Sequence, residues 1–109
     1  MSMRFLWDEA KRRANLRKHG LDFADAKAVF ADITLTAQDL RFDYQEQRFV
    51  TVGLLRGMVV VIAHLESPEL IRVISMRKAT QRELILFFDS ISGQDRVSDR
   101  LETRKGSAR

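Results

Sequence analysis

The amino-acid sequence predicts an α+β fold: a small antiparallel sheet, two N-terminal helices and one C-terminal helix. Three observations carry this. Apolar, β-branched runs at residues 48–54, 58–65 and 70–76 are split by turn residues at Arg56-Gly57 and Ser67-Pro68-Glu69, the pattern of an antiparallel meander. Residues 8–30 hold two helix-start signals and helical apolar spacing. Thr80 and Glu83 form a Thr-x-x-Glu capping box ahead of an apolar run.

The elements follow in order. Residues 4–7 (Arg-Phe-Leu-Trp) make a short first strand. Asp8 is an N-cap and Glu9 suits a first turn, so residues 10–18 are a helix, rich in cations and thin in apolar residues, that stops at His19-Gly20. Asp22 starts a second helix, with Phe23, Ala26, Val29 and Phe30 spaced to face a core. Residues 33–36 are a short strand, and 38–47 a polar loop of about ten residues. In 48–54, Phe49, Thr51 and Gly53 alternate with Val50, Val52 and Leu54. Residues 58–65 are apolar up to His64, which marks a central strand covered on both faces. Leu84, Ile85, Phe87, Phe88 and Ile91 form the apolar face of the last helix, and Gly93 ends it. Residues 1–92 thus form one domain, and 93–109 a polar C-terminal tail.

Composition narrows the chemistry. The 109 residues suit a single domain. Cysteine is absent, which removes disulfides, thiolate metal sites and cysteine catalysis. The longest apolar run, 58–63, is too short to span a bilayer, and the N-terminus lacks the apolar segment of a signal peptide. These features fit a cytoplasmic protein. The net charge is +4, and its distribution is uneven. Residues 1–19 carry six Lys/Arg against two acids, 20–47 two against six, and 71–83 four against one. Folded together the basic blocks form one positive face; kept apart they are separate solvated surfaces. Arg72, Arg77, Lys78 and Arg82 crowd a strand-to-helix join, where cations can meet phosphate, which places RNA or DNA ahead of a neutral small molecule. With two distant histidines, no metal site and no cofactor are expected.

The landmarks Trp7-Asp8, Asn15, Lys18-His19-Gly20, Phe23-Ala24-Asp25-Ala26 and Val29-Phe30 resemble the first half of BrnT-type toxins. Glu46, Arg48, Gly53, Ile71-Arg72-Val73-Ile74-Ser75, Arg77 and Ala79 resemble the second half. The resemblance covers about residues 5 to 88. It implies a RelE-like fold and a ribonuclease toxin of a type II toxin–antitoxin module that inhibits translation. It further implies a neutralising BrnA-like antitoxin with a ribbon-helix-helix part, and operator DNA bound mainly through that antitoxin. Glu9, Met76 and Phe87-Phe88 depart from the family pattern without removing any candidate phosphate-binding cation.

A ribonuclease that works without a metal needs a base for the 2′-OH, cations for the phosphorane and an acid for the leaving 5′-oxygen. General acid–base help is worth roughly 10²–10⁴-fold. Arginine suits the middle task because its planar fork stays charged and can hold two phosphate oxygens. Arg72 and Arg77 lead as a phosphate clamp, against the reading of a solvent-facing strand residue and a salt-bridge partner. They are five positions apart, so a regular strand turns them to opposite faces. They converge only where the strand ends or twists near Ser75-Met76. Arg48 and Glu46 are either a catalytic pair or an exposed ion pair. His19 is fit for proton transfer, or is simply placed by the helix dipole. Catalysis is therefore assigned to Arg72, Arg77, Arg48, His19 and Glu46, and substrate binding to Lys18, Lys78 and Arg82. His64 is expected to be a satisfied structural residue, and Trp7 and Phe23 to be core. The alternatives to an enzyme are a nucleic-acid-binding regulator without chemistry and a protein-interaction module.

Overall fold

The computed structural model describes residues 3–41 and 45–100. The chain divides into two units, residues 1–79 and 80–109. The first holds strands β1 Arg4–Leu6, β2 Thr34–Gln38, β3 Phe49–Leu55, β4 Met58–Ser67 and β5 Leu70–Lys78. It also holds α1 Glu9–His19, a 3-10 turn Phe23–Asp25 and α2 Ala26–Phe30. The second unit holds α3 Gln81–Arg100. The architecture is α+β, as expected. No helix of the described residues is long and apolar enough to cross a membrane.

The sheet runs β1-β5-β4-β3-β2. From β2 to β5 every pairing is antiparallel, but β1 lies parallel to β5. The sheet is therefore mixed, which corrects the expectation of an all-antiparallel one. A parallel pair needs a long connection. Nearly all of the first unit supplies it, and neighbouring elements in the sequence do not reveal such a partner.

Local chemistry sets the helices. The Asp8 carboxylate accepts from the Lys11 N–H at 3.0 Å, and Gly20 closes α1 with φ 71°. Asp22 accepts from the Ala24 N–H at 2.9 Å, so the second helix starts where expected, but its first turn is 3-10. Phe23, Ala26 and Val29 from this segment are fully buried against Val60, Ile62, Ile71, Val73 and Met76. β3 passes under α2 at Gly53. A Cβ there would lie 2.7 Å from Val29 Cγ1 and 2.9 Å from Thr34 Cγ2, so only glycine allows this approach.

α1 has almost no apolar stripe, and Asn15 is its one buried residue. The Asn15 carboxamide donates to the Met76 carbonyl at 2.9 Å and to the Leu21 carbonyl at 3.0 Å, and it accepts from the Met76 N–H at 3.2 Å. β1 covers the edge of β5 only at residues 70–72. Farther along that strand, Asn15 takes both backbone groups of Met76, as a neighbouring strand would.

The β3–β4 hairpin turns through Arg56 (φ 49°) and Gly57 (φ 82°), the left-handed pair that such a two-residue turn requires. In the second unit the Thr80–Glu83 box is present. The Thr80 N–H donates to Glu83 Oε1 at 2.8 Å and the Glu83 N–H to Thr80 Oγ1 at 3.2 Å. α3 then runs through Gly93 to Arg100 rather than stopping at Gly93. A glycine inside a helix costs only about 1 kcal/mol, and no proline follows to force an end. Of the expected tail, residues 101–109 lie outside the described residues.

Candidate active site

The positions of the cations follow from one irregularity in β5. β4 and β5 pair Leu65↔Arg72, His64↔Val73, Ala63↔Ser75, Ile62↔Met76 and Val61↔Arg77, with a register shift at Ala63/His64. Ile74 is the extra residue of this bulge. On β4, residues 61, 63 and 65 share one face. Their partners Arg77, Ser75 and Arg72 therefore share it too. The core side is taken by Ile71, Val73 and Met76, which are all buried. The bulge thus absorbs the odd residue that would have turned Arg72 and Arg77 apart. β5 also continues to Lys78, past the expected end at Met76.

Arg72 and Arg77 oppose residues four apart on β4, so their Cα atoms lie roughly 13 Å from one another. Arg48 precedes the Phe49↔His64 pair, so extending that register by one residue sets it opposite Leu65. Arg48 and Arg72 thus flank Leu65 from two sides, about 10 Å apart across two strand spacings. Arg48 Nε donates to Glu46 Oε2 at 3.3 Å, an ion pair in which both side chains remain about one-third to one-half exposed. Arg77 Nη1 donates to the Lys78 carbonyl at 3.2 Å. Arg72 is exposed and lines a cavity of about 170 Å³ with Leu65, Glu66, Ser67 and Leu70.

The remaining candidates lie elsewhere. Lys18 and His19 end α1, one helical turn past Asn15 and hence about 6 Å along the axis from the residue that grips Met76. Lys18 is exposed and His19 half-buried. Lys78 pairs with Val60, a core-side residue, so it does not share the face of Arg77. Arg82 is exposed on α3, in the second unit. The structure therefore brings Arg72 and Arg77 to one sheet face, to which continuation of the β3 register adds Arg48, and does not bring Lys78 there.

His64 is fully buried, in agreement with a structural role. Its Nε2 meets Thr51 Oγ1 at 2.7 Å, and Thr51 in turn meets Thr36 Oγ1 at 2.6 Å. The expectation that the ring is satisfied holds only on that side. Nδ1 has no hydrogen-bond partner among the described residues, and its nearest carboxylate, Glu66, stands 3.5 Å away. Burial pushes the ring's pKa down to about 4, against a weaker opposing pull from the Leu65 backbone. The ring is thus neutral near pH 7. Phe23 is in the core, and Trp7 packs edge-on against it at 6.5 Å, partly buried.

Sequence reasoning missed the bulge and the grip of Asn15. A signal for the bulge was present: Ile71, Val73 and Met76 switch parity, and Ile74 adds a second apolar residue where alternation calls for a polar one.

Comparison with known proteins agrees with these landmarks. The profile of the family described as the ribonuclease toxin BrnT of type II toxin–antitoxin systems matches residues 7–83. The crystal structure of the Brucella abortus ribonuclease toxin BrnT is similar at a TM-score of 0.55 with 34% identity, covering 73% of this chain and all of that one. The search of curated proteins found no match. The matched span runs from Trp7 through strands β2 to β5 and ends at the capping box, and on that basis the chain belongs to the BrnT family of ribonuclease toxins, the toxin partners of type II toxin–antitoxin systems.

Proposed function

We propose that this chain is a metal-independent endoribonuclease that inhibits translation by cutting RNA in the cytoplasm. In this reading a BrnA-like ribbon-helix-helix antitoxin neutralises it, and operator DNA is held mainly through that antitoxin. The observation that carries the reading is the shared face of Arg48, Arg72 and Arg77. An RNA strand lying along β5 meets Arg72 and Arg48 near one end and Arg77 near the other. The guanidinium groups take up the charge that builds on phosphorus as the 2′-oxygen attacks. Glu46 accepts the 2′ proton or holds the fork of Arg48 in place. His19, at the C-terminal end of α1, returns a proton to the departing 5′-oxygen. Lys18, exposed at the end of α1, binds a flanking phosphate. A RelE-like fold belongs to the same reading.

Purified protein incubated with single-stranded RNA in excess EDTA tests it. Cleavage is expected, and Arg72→Ala and Arg77→Ala are each expected to lower its rate on the order of 10²–10³-fold with circular dichroism unchanged. RNA binding without cleavage would leave a regulator, and wild-type rates in both variants would end the proposed clamp.

A further inference from the structure

Parallel pairing fixes which backbone groups of β1 are used. The Arg4 N–H donates to the Glu69 carbonyl at 2.9 Å, in the register Arg4↔Leu70, Phe5↔Ile71, Leu6↔Arg72. Arg4 and Leu6 therefore turn their amides and carbonyls toward β5. Phe5, between them, turns both of its groups outward. β1 is the first strand of the sheet, so no strand of the described residues meets them. A cavity of about 530 Å³ follows this edge, lined by every residue from 3 to 7 and bounded by Ala24 and Lys27. A second cavity of about 420 Å³ shares Met3, Phe5 and Lys27 with it and reaches Phe30 and Glu66. The result is an apolar trough beside an unpaired strand edge.

We propose that this edge seats an extended segment of the antitoxin, which adds a strand beside Phe5. The inference rests on the toxin–antitoxin reading above and names the surface through which the partner is held. The outward amide and carbonyl of Phe5 select an extended backbone. Met3, Phe5, Leu6 and Trp7 select apolar side chains at alternate positions. The charged residues lining the first cavity are Arg4 and Lys27, with no acid among them, so the segment carries a carboxylate at that rim. The same cations disfavour a second copy of this chain. Antiparallel self-pairing about Phe5 would gather two Arg4 and two Lys27 side chains at one seam. A strand added here lies about 10 Å from β5, two strand spacings away, so an acidic side chain on the face of Leu6 can reach Arg72.

The probe is a purified BrnA-like ribbon-helix-helix antitoxin. Its affinity is measured by titration calorimetry against the full chain and against Ala24→Trp and Lys27→Glu, two exposed positions outside the catalytic set. Both variants are expected to weaken binding about tenfold or more, roughly 1.4 kcal/mol, while RNA cleavage by the free chain stays at the wild-type rate. The Phe5 amide is expected to exchange hydrogen more slowly in the wild-type complex. Unchanged affinity in both variants, or an unprotected Phe5 amide, would overturn the edge site and leave the toxin reading intact. A change in the mass of the chain alone, at constant partner affinity, would assign the trough to self-assembly and also overturn it. A wild-type chain that neither cuts RNA nor binds the probe would remove the toxin reading, and this inference with it.

Discussion

Asn15 joins three parts of the first unit through one carboxamide. It needs a donor and an acceptor at once, which Asp and Ala cannot supply. Asn15→Ala leaves backbone groups of Met76 and Leu21 without their partner, and is expected to cost about 2–4 kcal/mol, read as a shift in urea midpoint. Asn15→Asp keeps only the acceptor and is expected to fall in the same range. His64 makes a different demand. Its folded pKa of about 4 lies below the ordinary 6.5. Between those values the unfolded chain binds a proton that the folded chain refuses. The contribution is therefore full above about pH 6.5 and is lost as the pH falls toward 4, by about 3 kcal/mol in total. His64→Gln is expected to flatten that acid slope in denaturation series at different pH.

At the scale of elements, α2 approaches β3 closely at Gly53. Gly53→Ala places a methyl within 2.7–2.9 Å of Val29 and Thr34 carbons, and a loss of roughly 1–3 kcal/mol is expected, seen as a lower melting temperature. This contact also shows what the sequence reveals and what it withholds. Asp8, Asp22 and the Thr80–Glu83 pair act on backbone groups two or three residues away, so their helices were legible from local order alone. The alternation of Thr51 and Gly53 with Val50 and Val52 was equally legible. Only long-range pairing decides that β1 lies beside β5, that Asn15 finishes that edge, or that Ile74 bulges. The cations of the candidate site were readable as residues. Their common face was not, because a strict two-residue period turns Arg72 away from Arg77.

For the molecule as a whole, the +4 charge matters less than its placement. If Arg48, Arg72 and Arg77 each meet a phosphate, the log–log salt slope of single-stranded RNA binding is expected to fall by about 0.7 for each Arg→Ala change. Fluorescence anisotropy across a salt series measures this, and an unaltered slope in Arg72→Ala would place that residue outside the RNA path. The parallel pairing of β1 with β5 has a further consequence, which concerns synthesis. During synthesis Arg4–Leu6 emerges before the other strands, yet the strand that receives it is the last of the five in chain order. Until Leu70–Lys78 clears the ribosome, β1 has no neighbour and Asn15 has only the Leu21 carbonyl to hold. A polypeptide released early lacks Arg72 and Arg77 along with the strand that aligns them. Assembly in this order keeps the cation row from forming before translation of the sheet is finished.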